Sequence, residues 1–161
     1  MNNGIGSTGS SKDTIDNSGT IQGGTVDLGA GDDMLVNRAD VINSDVFLGA
    51  GNDSLLVLGG LLRRIDAGAG DDQASIVSGA IDDYYRAQGG NDVLLWTGGT
   101  VRSIDMGADT DLVTMRNLPA SAGANGTLTS IVGGLGANDH LIFDNVQTGG
   151  RTGSENGSYS I

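Results

Sequence analysis

The sequence predicts an all-β protein, a parallel β-helix (solenoid) of about six coils, and three observations support this. A motif rich in glycine and aspartate recurs with a period of 19–20 residues, segments of alternating apolar and polar residues flank it, and no window keeps a helical period. The clearest copies are 28–35 (LGAGDDML), 48–55 (LGAGNDSL) and 67–74 (AGAGDDQA), and weaker copies lie at 88–94, 107–113 and 135–141. The last aspartates of the copies are Asp33, Asp53, Asp72, Asp92, Asp111 and Asp139, which gives steps of 20, 19, 20, 19 and 28 residues.

The segment before each motif alternates with period two, which is typical of a strand with one buried face. The residue between each inward pair is mostly polar, as at Asp27, Asp66 and Asp105. The predicted inward pairs are Val26 with Leu28, Val46 with Leu48, Ile65 with Ala67, Tyr85 with Ala87, and Ile104 with Met106.

A second strand is predicted directly after each motif. Its inward pairs are Leu35 with Asn37, Leu55 with Val57, Ala74 with Ile76, Leu94 with Trp96, Val113 with Met115, and Leu141 with Phe143. Asn37 is the polar exception, and its side chain needs hydrogen-bond partners if it is buried. With coils stacked at about 4.8 Å, the first residues of these pairs form one continuous column.

A third, weaker apolar position follows in each repeat, and its spacing to the next strand varies by one or two residues. The residues at this position are Ile21, Val41, Leu62, Ile81 and Val101. Each repeat therefore reads as strand, Gly-Asp turn, strand, turn and short strand. An antiparallel sandwich is the alternative, but it does not explain why the same residue types recur at every twentieth position.

The chain divides into a flexible tail or partial first coil at 1–19 and a solenoid at 20–161. The last step of 28 residues predicts a loop insertion near 116–127, which contains the only proline, Pro119. A loop on a rigid scaffold is a frequent place for binding. The alternative is an insertion that the fold tolerates without any function.

The composition excludes several classes of protein. A net charge of −12 disfavours partners that need a basic surface, namely nucleic acid and anionic membranes. No apolar run approaches the ~20 residues of a membrane span, and Met1–Gly6 lacks the features of a signal peptide, so we expect a fragment of a longer protein. The absence of cysteine excludes a disulfide scaffold and a Cys-ligated zinc site.

The Gly-Asp turn has two physical explanations. In the structural one, glycine adopts backbone angles closed to other residues, and Asp or Asn side chains hydrogen-bond the turn backbone. In the other, two successive turns hold a calcium ion with carboxylates and exposed carbonyls. The candidate ligands are Asp33, Asp53, Asp72, Asp92 and Asp111. Stacked carboxylates repel one another, which favours bound cations, although solvent screening would also relieve the repulsion.

The turn resembles the repeats-in-toxin nonapeptide, Gly-Gly-x-Gly-x-Asp-x-hydrophobic-x, which binds calcium in a parallel β-roll. The matching residues are Gly29, Gly31, Asp33 and Leu35, then Gly49, Gly51, Asp53 and Leu55, and then Gly68, Gly70 and Asp72. Leu28, Leu48 and Ala67 replace the first glycine, and the motif recurs every 19 or 20 residues instead of every nine. The resemblance therefore implies calcium along one edge only.

Nearly the whole chain resembles the passenger domains of bacterial autotransporter adhesins. The resemblance rests on the runs 15–21 and 26–33, and on the final runs 141–146, 148–150 and 156–158. It implies a right-handed β-helix that is exported through the outer membrane and displayed at or released from the cell surface. It also implies a ligand on a host or neighbouring cell, either protein or glycan, without membrane insertion by this fragment. The unpaired strand edges of rod ends add a possible end-to-end self-association.

An enzyme is a weaker interpretation because a catalytic site should break the repeat. His140, the only histidine, falls at an outward position beside a turn. The least repetitive patch is 82–86, where Tyr84 and Arg86 are candidates for sugar binding beside Arg63, Arg64 and Arg102 on neighbouring coils; the alternative is a core tyrosine at position 85 with solvated ion pairs. Trp96 is predicted to lie in the core. The expected function is a non-enzymatic structural or adhesive segment; the alternatives are a calcium-binding solenoid module and a carbohydrate-active β-helix.

Overall fold

The computed structural model describes residues 5–6, 9–118, 128–136, 138–147 and 154–160. It confirms the predicted fold class: the described chain is all-β and forms a parallel solenoid of about five turns, compared with the six expected, with a spacing near 20 residues. The predicted insertion near 116–127 lies outside the described residues from position 119 onwards. No helix in the described part has the length and apolar character needed to cross a membrane.

The strands form two parallel sheets on the two sides of the solenoid. The long-strand sheet contains β1 (Ile5–Gly6), β3 (Ile21–Asp27), β5 (Val41–Ala50), β7 (Leu61–Ala69), β9 (Ala80–Gly89), β11 (Thr100–Asp105) and β13 (Ser130–Val132) in that order. The short-strand sheet contains β2 (Thr14–Asn17), β4 (Met34–Asn37), β6 (Ser54–Val57), β8 (Gln73–Ile76), β10 (Val93–Trp96), β12 (Leu112–Arg116) and β14 (His140–Gln147). One further strand, β15 (Ser154–Ser160), pairs with β14 in the antiparallel direction.

Equivalent side chains stack in columns between the two sheets, as the repeat predicts. The column of Leu35, Leu55, Ala74, Leu94, Val113 and Leu141 is in register from β4 to β14. All of its members are at most 9% exposed. Tyr85 and Trp96 are both 1% exposed, which confirms that they belong to the core. Strands β1 and β2, within the first 19 residues, pair in parallel with β3 and β4.

Asn37 is fully buried and has its partners. Its Nδ2 donates to the carbonyl oxygens of Asp40 (3.0 Å) and Gly59 (2.8 Å), and its Oδ1 accepts a bond from Asn17 Nδ2 (2.7 Å). A buried amide with this many partners fixes the turn after β4 without leaving an unsatisfied group. Two neighbouring coils are thus joined by side-chain amides inside the core.

The prediction of the third apolar position is wrong by one residue in one coil. Ile42, which is fully buried, pairs with Ile21 and Leu62, whereas the predicted Val41 is only half-buried and pairs with Leu61. The cause is a local shift in register. Between Ile42 and the next paired residue, Asp45, β5 has two residues, whereas β7 has one, Arg63, between Leu62 and Arg64.

The same shift explains the alternating period of the sequence. Strand β9 again has two residues at this point, Asp82 and Asp83, while β11 has only Arg102. The extra residue is accommodated as a β-bulge. Between Asp33 and Asp111, coils that contain the bulge are therefore 20 residues long and the others are 19, so the rest of each coil stays in register.

Candidate functional site

Six buried aspartates form a continuous row along the turns that precede the short strands. This inner aspartate row consists of Asp33, Asp53, Asp72, Asp92, Asp111 and Asp139, each at most 2% exposed. The Oδ1 atom of each one accepts a hydrogen bond from the backbone N–H of the aspartate one coil earlier, at 2.6 to 3.0 Å, with Asp13 donating the first bond. The aspartate that ends each motif therefore ties its turn to the coil before it.

The second carboxylate oxygen of the row has a different environment. Within the described residues, the Oδ2 atoms of Asp33, Asp53, Asp72, Asp92 and Asp111 are buried and have no hydrogen-bond partner. Leaving a buried polar oxygen without a partner costs about 1–3 kcal/mol, and more when the group is charged. In these five members of the row, one carboxylate oxygen thus has a hydrogen-bond partner and the other has none.

Burial raises the proton affinity of four members of the row. It raises the pKa of Asp53 and of Asp92 to about 6, and the pKa of Asp72 and of Asp111 to about 7. The hydrogen bond from the backbone opposes this rise, and the negative charges of neighbouring aspartates add to it. These carboxyls therefore hold protons at a pH at which exposed aspartates are ionised.

A second row of side chains runs along the outside of the same turns. This outer row, Asp32, Asn52, Asp71 and Asn91, accepts bonds in the opposite direction, from the backbone N–H one coil later, at 2.7 to 3.3 Å. Aspartate and asparagine alternate, so charges fall on every second coil, about 10 Å apart on the strand spacing, which is near the Debye length at physiological salt. The alternation of aspartate and asparagine at positions 32, 52, 71 and 91 therefore reduces the repulsion between the stacked side chains of the outer row.

The predicted calcium ligands are all in the inner row. Their Oδ1 atoms are engaged with the backbone, and their Oδ2 atoms are enclosed. Among the described residues, no group of three or more His, Cys, Asp or Glu side chains is arranged to hold a metal ion. Oxygen is the ligand type that calcium prefers, but a cation here would require movement of the turn. Calcium binding stays a prediction.

The predicted sugar-binding residues lie on the outer face of the long-strand sheet. The guanidinium groups of Arg64 and Arg86 lie 5.8 and 4.9 Å from the centre of the Tyr84 ring, so the ring already has cationic neighbours. Arg64 donates to Asp83 at 2.7 Å, and this bond lowers the pKa of that carboxyl. The aromatic ring is thus partly engaged within the protein, and sugar stacking on it stays a prediction.

The remaining sequence candidate is His140. It begins β14 on the solvent side, and its backbone N–H donates to the carbonyl oxygen of Asp111 at 2.8 Å. His140 is thus the first residue of a strand that is paired with β12 on one side and β15 on the other, next to the turn.

Sequence reasoning did not single out Gln88 or Asp105, which flank Arg86 on the same outer face. The available signal was Gln88 itself, which stands where the clearest motif copies have glycine.

Compared with known protein families, curated proteins and solved structures, the chain shows no significant match to any of them.

Proposed function

We propose that the chain is a non-enzymatic structural segment of an exported bacterial surface protein, of the kind found in autotransporter adhesin passengers. In this role, stacked coils provide a rigid spacer and present their outer faces to ligands on other cells. The resemblance of the coils to such passengers supports the assignment to an exported surface protein. The solenoid fold supports the role as a spacer.

The observation that carries the proposal is the repetition of the same buried contact in successive coils. A carboxylate-to-backbone bond links each turn to the one before it, from Asp13 through Asp139. A catalytic site is needed only once, whereas these polar contacts recur as the coils do. Such repetition stabilises a rod by nearest-neighbour contacts between coils.

Deletion of one whole coil is expected to leave the fold intact. Removing residues 54–72 joins Asp53 to Gln73, which recreates the sequence step that Asp72 and Gln73 make in the intact chain. The flanking strands β4 and β8 already carry matching columns at Leu35 and Ala74, so the shortened solenoid keeps a continuous core. Circular dichroism and cooperative thermal unfolding measure the result.

The matched control removes only half a coil, residues 54–63. This deletion takes out all of β6 and the start of β7, so the coil no longer supplies a strand to both sheets, and it should abolish cooperative unfolding. In a surface-display fusion, the whole-coil deletion should also reach the cell surface, where added protease detects it. Loss of cooperative unfolding in the whole-coil deletion, or equal behaviour of both deletions, would contradict the structural proposal.

A calcium-binding module is the second proposal, and the partnerless Oδ2 atoms of the inner row favour it. If ions enter the row, they replace protons there. Calcium is then expected to raise the melting temperature at about pH 8, where the row is ionised, and to have little effect at about pH 5. Differential scanning calorimetry with millimolar calcium measures both.

Magnesium and a matched increase in ionic strength are the controls for general screening of the acidic surface. An equal rise with sodium chloride, or no rise with calcium at about pH 8, would remove the calcium proposal. The structural proposal does not depend on this outcome.

A further inference from the structure

We propose that the outer face of strands β9 and β11 carries a binding cleft for a neutral, hydroxyl-rich saccharide, with Arg86, Gln88 and Asp105 as its polar contacts. The proposal goes beyond the structural role, which holds whether or not the cleft binds. The cleft has a volume of about 370 Å³ and is lined by Arg86, Gln88, Asp105, Gly107, Ala108, Gly134 and Leu135.

The cleft exists because one column on this face has almost no side chains. Along the coils the column contains Gly29, Gly49, Gly68, Gln88, Gly107 and Gly134, and every member has a positive φ. At Gly107, an added Cβ would collide with the carbonyl oxygen of Gln88, and at Gly134 it would collide with that of Gly107. The close approach of the coils therefore requires glycine, which leaves an open floor beside the single side chain of Gln88.

Gln88 departs from the column at an energetic cost. Its φ is 80°, a left-handed conformation that glycine adopts freely and a glutamine does not. Its Nε2 donates to Asp66 Oδ1, and Asp66 is itself only 8% exposed. A strained residue with a fixed side chain, at a place where the repeat has glycine, points to a local function that the fold alone does not need.

A donor and an acceptor lie beside Gln88 with open hydrogen-bonding capacity. Arg86 is between Asp66 and Asp105 in the register of the sheet, yet its nitrogens are 4.0 and 3.6 Å from these carboxylates, beyond hydrogen-bond distance. Within the described chain, neither the Arg86 guanidinium nor the Asp105 carboxylate forms a hydrogen bond with another residue. Both side chains are nearly half exposed.

One wall of the cleft is apolar. Leu135 is 91% exposed, an extreme value for a large hydrophobic residue, and it follows Gly134 next to the cleft floor. Its backbone N–H donates to the carbonyl oxygen of Gly107, which holds this segment against the fifth motif copy. An exposed leucine beside convergent polar groups is typical of a ligand site rather than of a bare surface.

These features together select the ligand class. Adjacent hydroxyls of a sugar both donate and accept, so a diol satisfies the guanidinium and the carboxylate at the same time. The apolar wall packs against the C–H face of the ring. The local charges of Arg86, Asp66 and Asp105 sum to −1, which disfavours an acidic sugar and favours a neutral one.

The test is amide NMR of the full chain with maltose, cellobiose, lactose and mannobiose at millimolar concentrations. At least one of these disaccharides should shift the amide signals of Gln88, Gly107 and Ala108. Gln88→Gly restores the residue that the column otherwise has, so it should preserve or raise the melting temperature while weakening binding at least about tenfold. Arg86→Ala should also weaken binding by this factor.

Arg38→Ala is the matched control, since Arg38 is an exposed arginine paired with Asp16 beside the other sheet, and it should leave binding unchanged. The absence of shifts with all four disaccharides would overturn the proposal. Shifts that persist unchanged in both Gln88→Gly and Arg86→Ala would also overturn it. Because both variants keep the coils, failure here leaves the structural proposal intact.

Discussion

The melting temperature of the protein is expected to rise as the pH is lowered from about 8 to about 5. The cause is the inner aspartate row, in which burial raises the pKa of Asp53 and Asp92 to about 6 and of Asp72 and Asp111 to about 7. The ordinary value for an unfolded aspartate is 3.8. Thermal unfolding followed by circular dichroism across this pH range measures the effect.

The sign follows from proton linkage. The folded chain binds protons more tightly than the unfolded chain, so the stabilisation is complete below pH 3.8 and is lost as the pH rises through about 6 to 7. For Asp72 alone, the free energy of unfolding at stake is at most about 4.5 kcal/mol, since each pKa unit corresponds to about 1.4 kcal/mol. The net effect is smaller because neighbouring groups titrate together. At lower pH, protonation of Asp83, whose pKa Arg64 lowers, works in the opposite direction.

Asp72→Asn isolates the contribution of one member of the row. The asparagine Oδ1 keeps the bond from the N–H of Asp53 but carries no charge. We expect the substitution to raise the melting temperature at about pH 8 more than at about pH 5, where the native carboxyl is already protonated.

Asp71→Asn is the matched control for the loss of one negative charge. Asp71 is exposed in the outer row and accepts a bond from the N–H of Asn91, which an asparagine at position 71 would also accept. It should raise the melting temperature at about pH 8 by less than Asp72→Asn does, because the charge of Asp71 is only a secondary cause of the raised pKa of Asp72 and Asp92, after burial. A flat or rising stability from about pH 5 to about pH 8, or equal effects of the two substitutions, would show that the row is not the proton-binding element.

The columns of the core were predictable because each column contains one residue, usually apolar, from every coil, at the same place in the repeat. Leu35, Leu55 and Leu94 stack over one another because the period of the sequence is the period of the winding. Tyr85 and Trp96 were assigned to the core for the same reason, since alternation along a strand fixes which face is buried.

The site was less predictable because it depends on orientation and not on period. The sequence places Asp33 and Asp53 in one row, but it does not say which carboxylate oxygen meets the backbone and which is enclosed. It also does not reveal that β5 and β9 contain the extra residue of the 20-residue coils as a bulge. The bulge in β5 is the reason why the predicted apolar position fell on Val41 and not on Ile42. Gln88 was detectable only as a departure from glycine, whose meaning depends on its φ.

Gly70→Val is expected to abolish cooperative folding or to reduce the free energy of unfolding by more than about 4 kcal/mol. Gly70 has a φ of 131°, where residues with a Cβ are strained, and a Cβ would collide with the carbonyl oxygen of Gly51 and lie 2.7 Å from its carbonyl carbon. The coils cannot separate to relieve this contact, because the bond from the backbone N–H of Gly51 to the carbonyl oxygen of Ala69 holds their spacing, as do the rows on both sides of the turn.

The matched control is Gly89→Ala, one coil further along the same edge. A Cβ at Gly89 would meet nothing within 4 Å, and this glycine is not among those with a positive φ. The alanine should therefore be neutral or slightly stabilising, since it restricts the unfolded chain. Chemical unfolding of both variants measures the difference. If Gly70→Val unfolds at the same denaturant concentration as Gly89→Ala, the coils are not packed backbone to backbone at this turn. The glycines of the motif would then need another explanation, such as exposure of carbonyl oxygens to a bound cation.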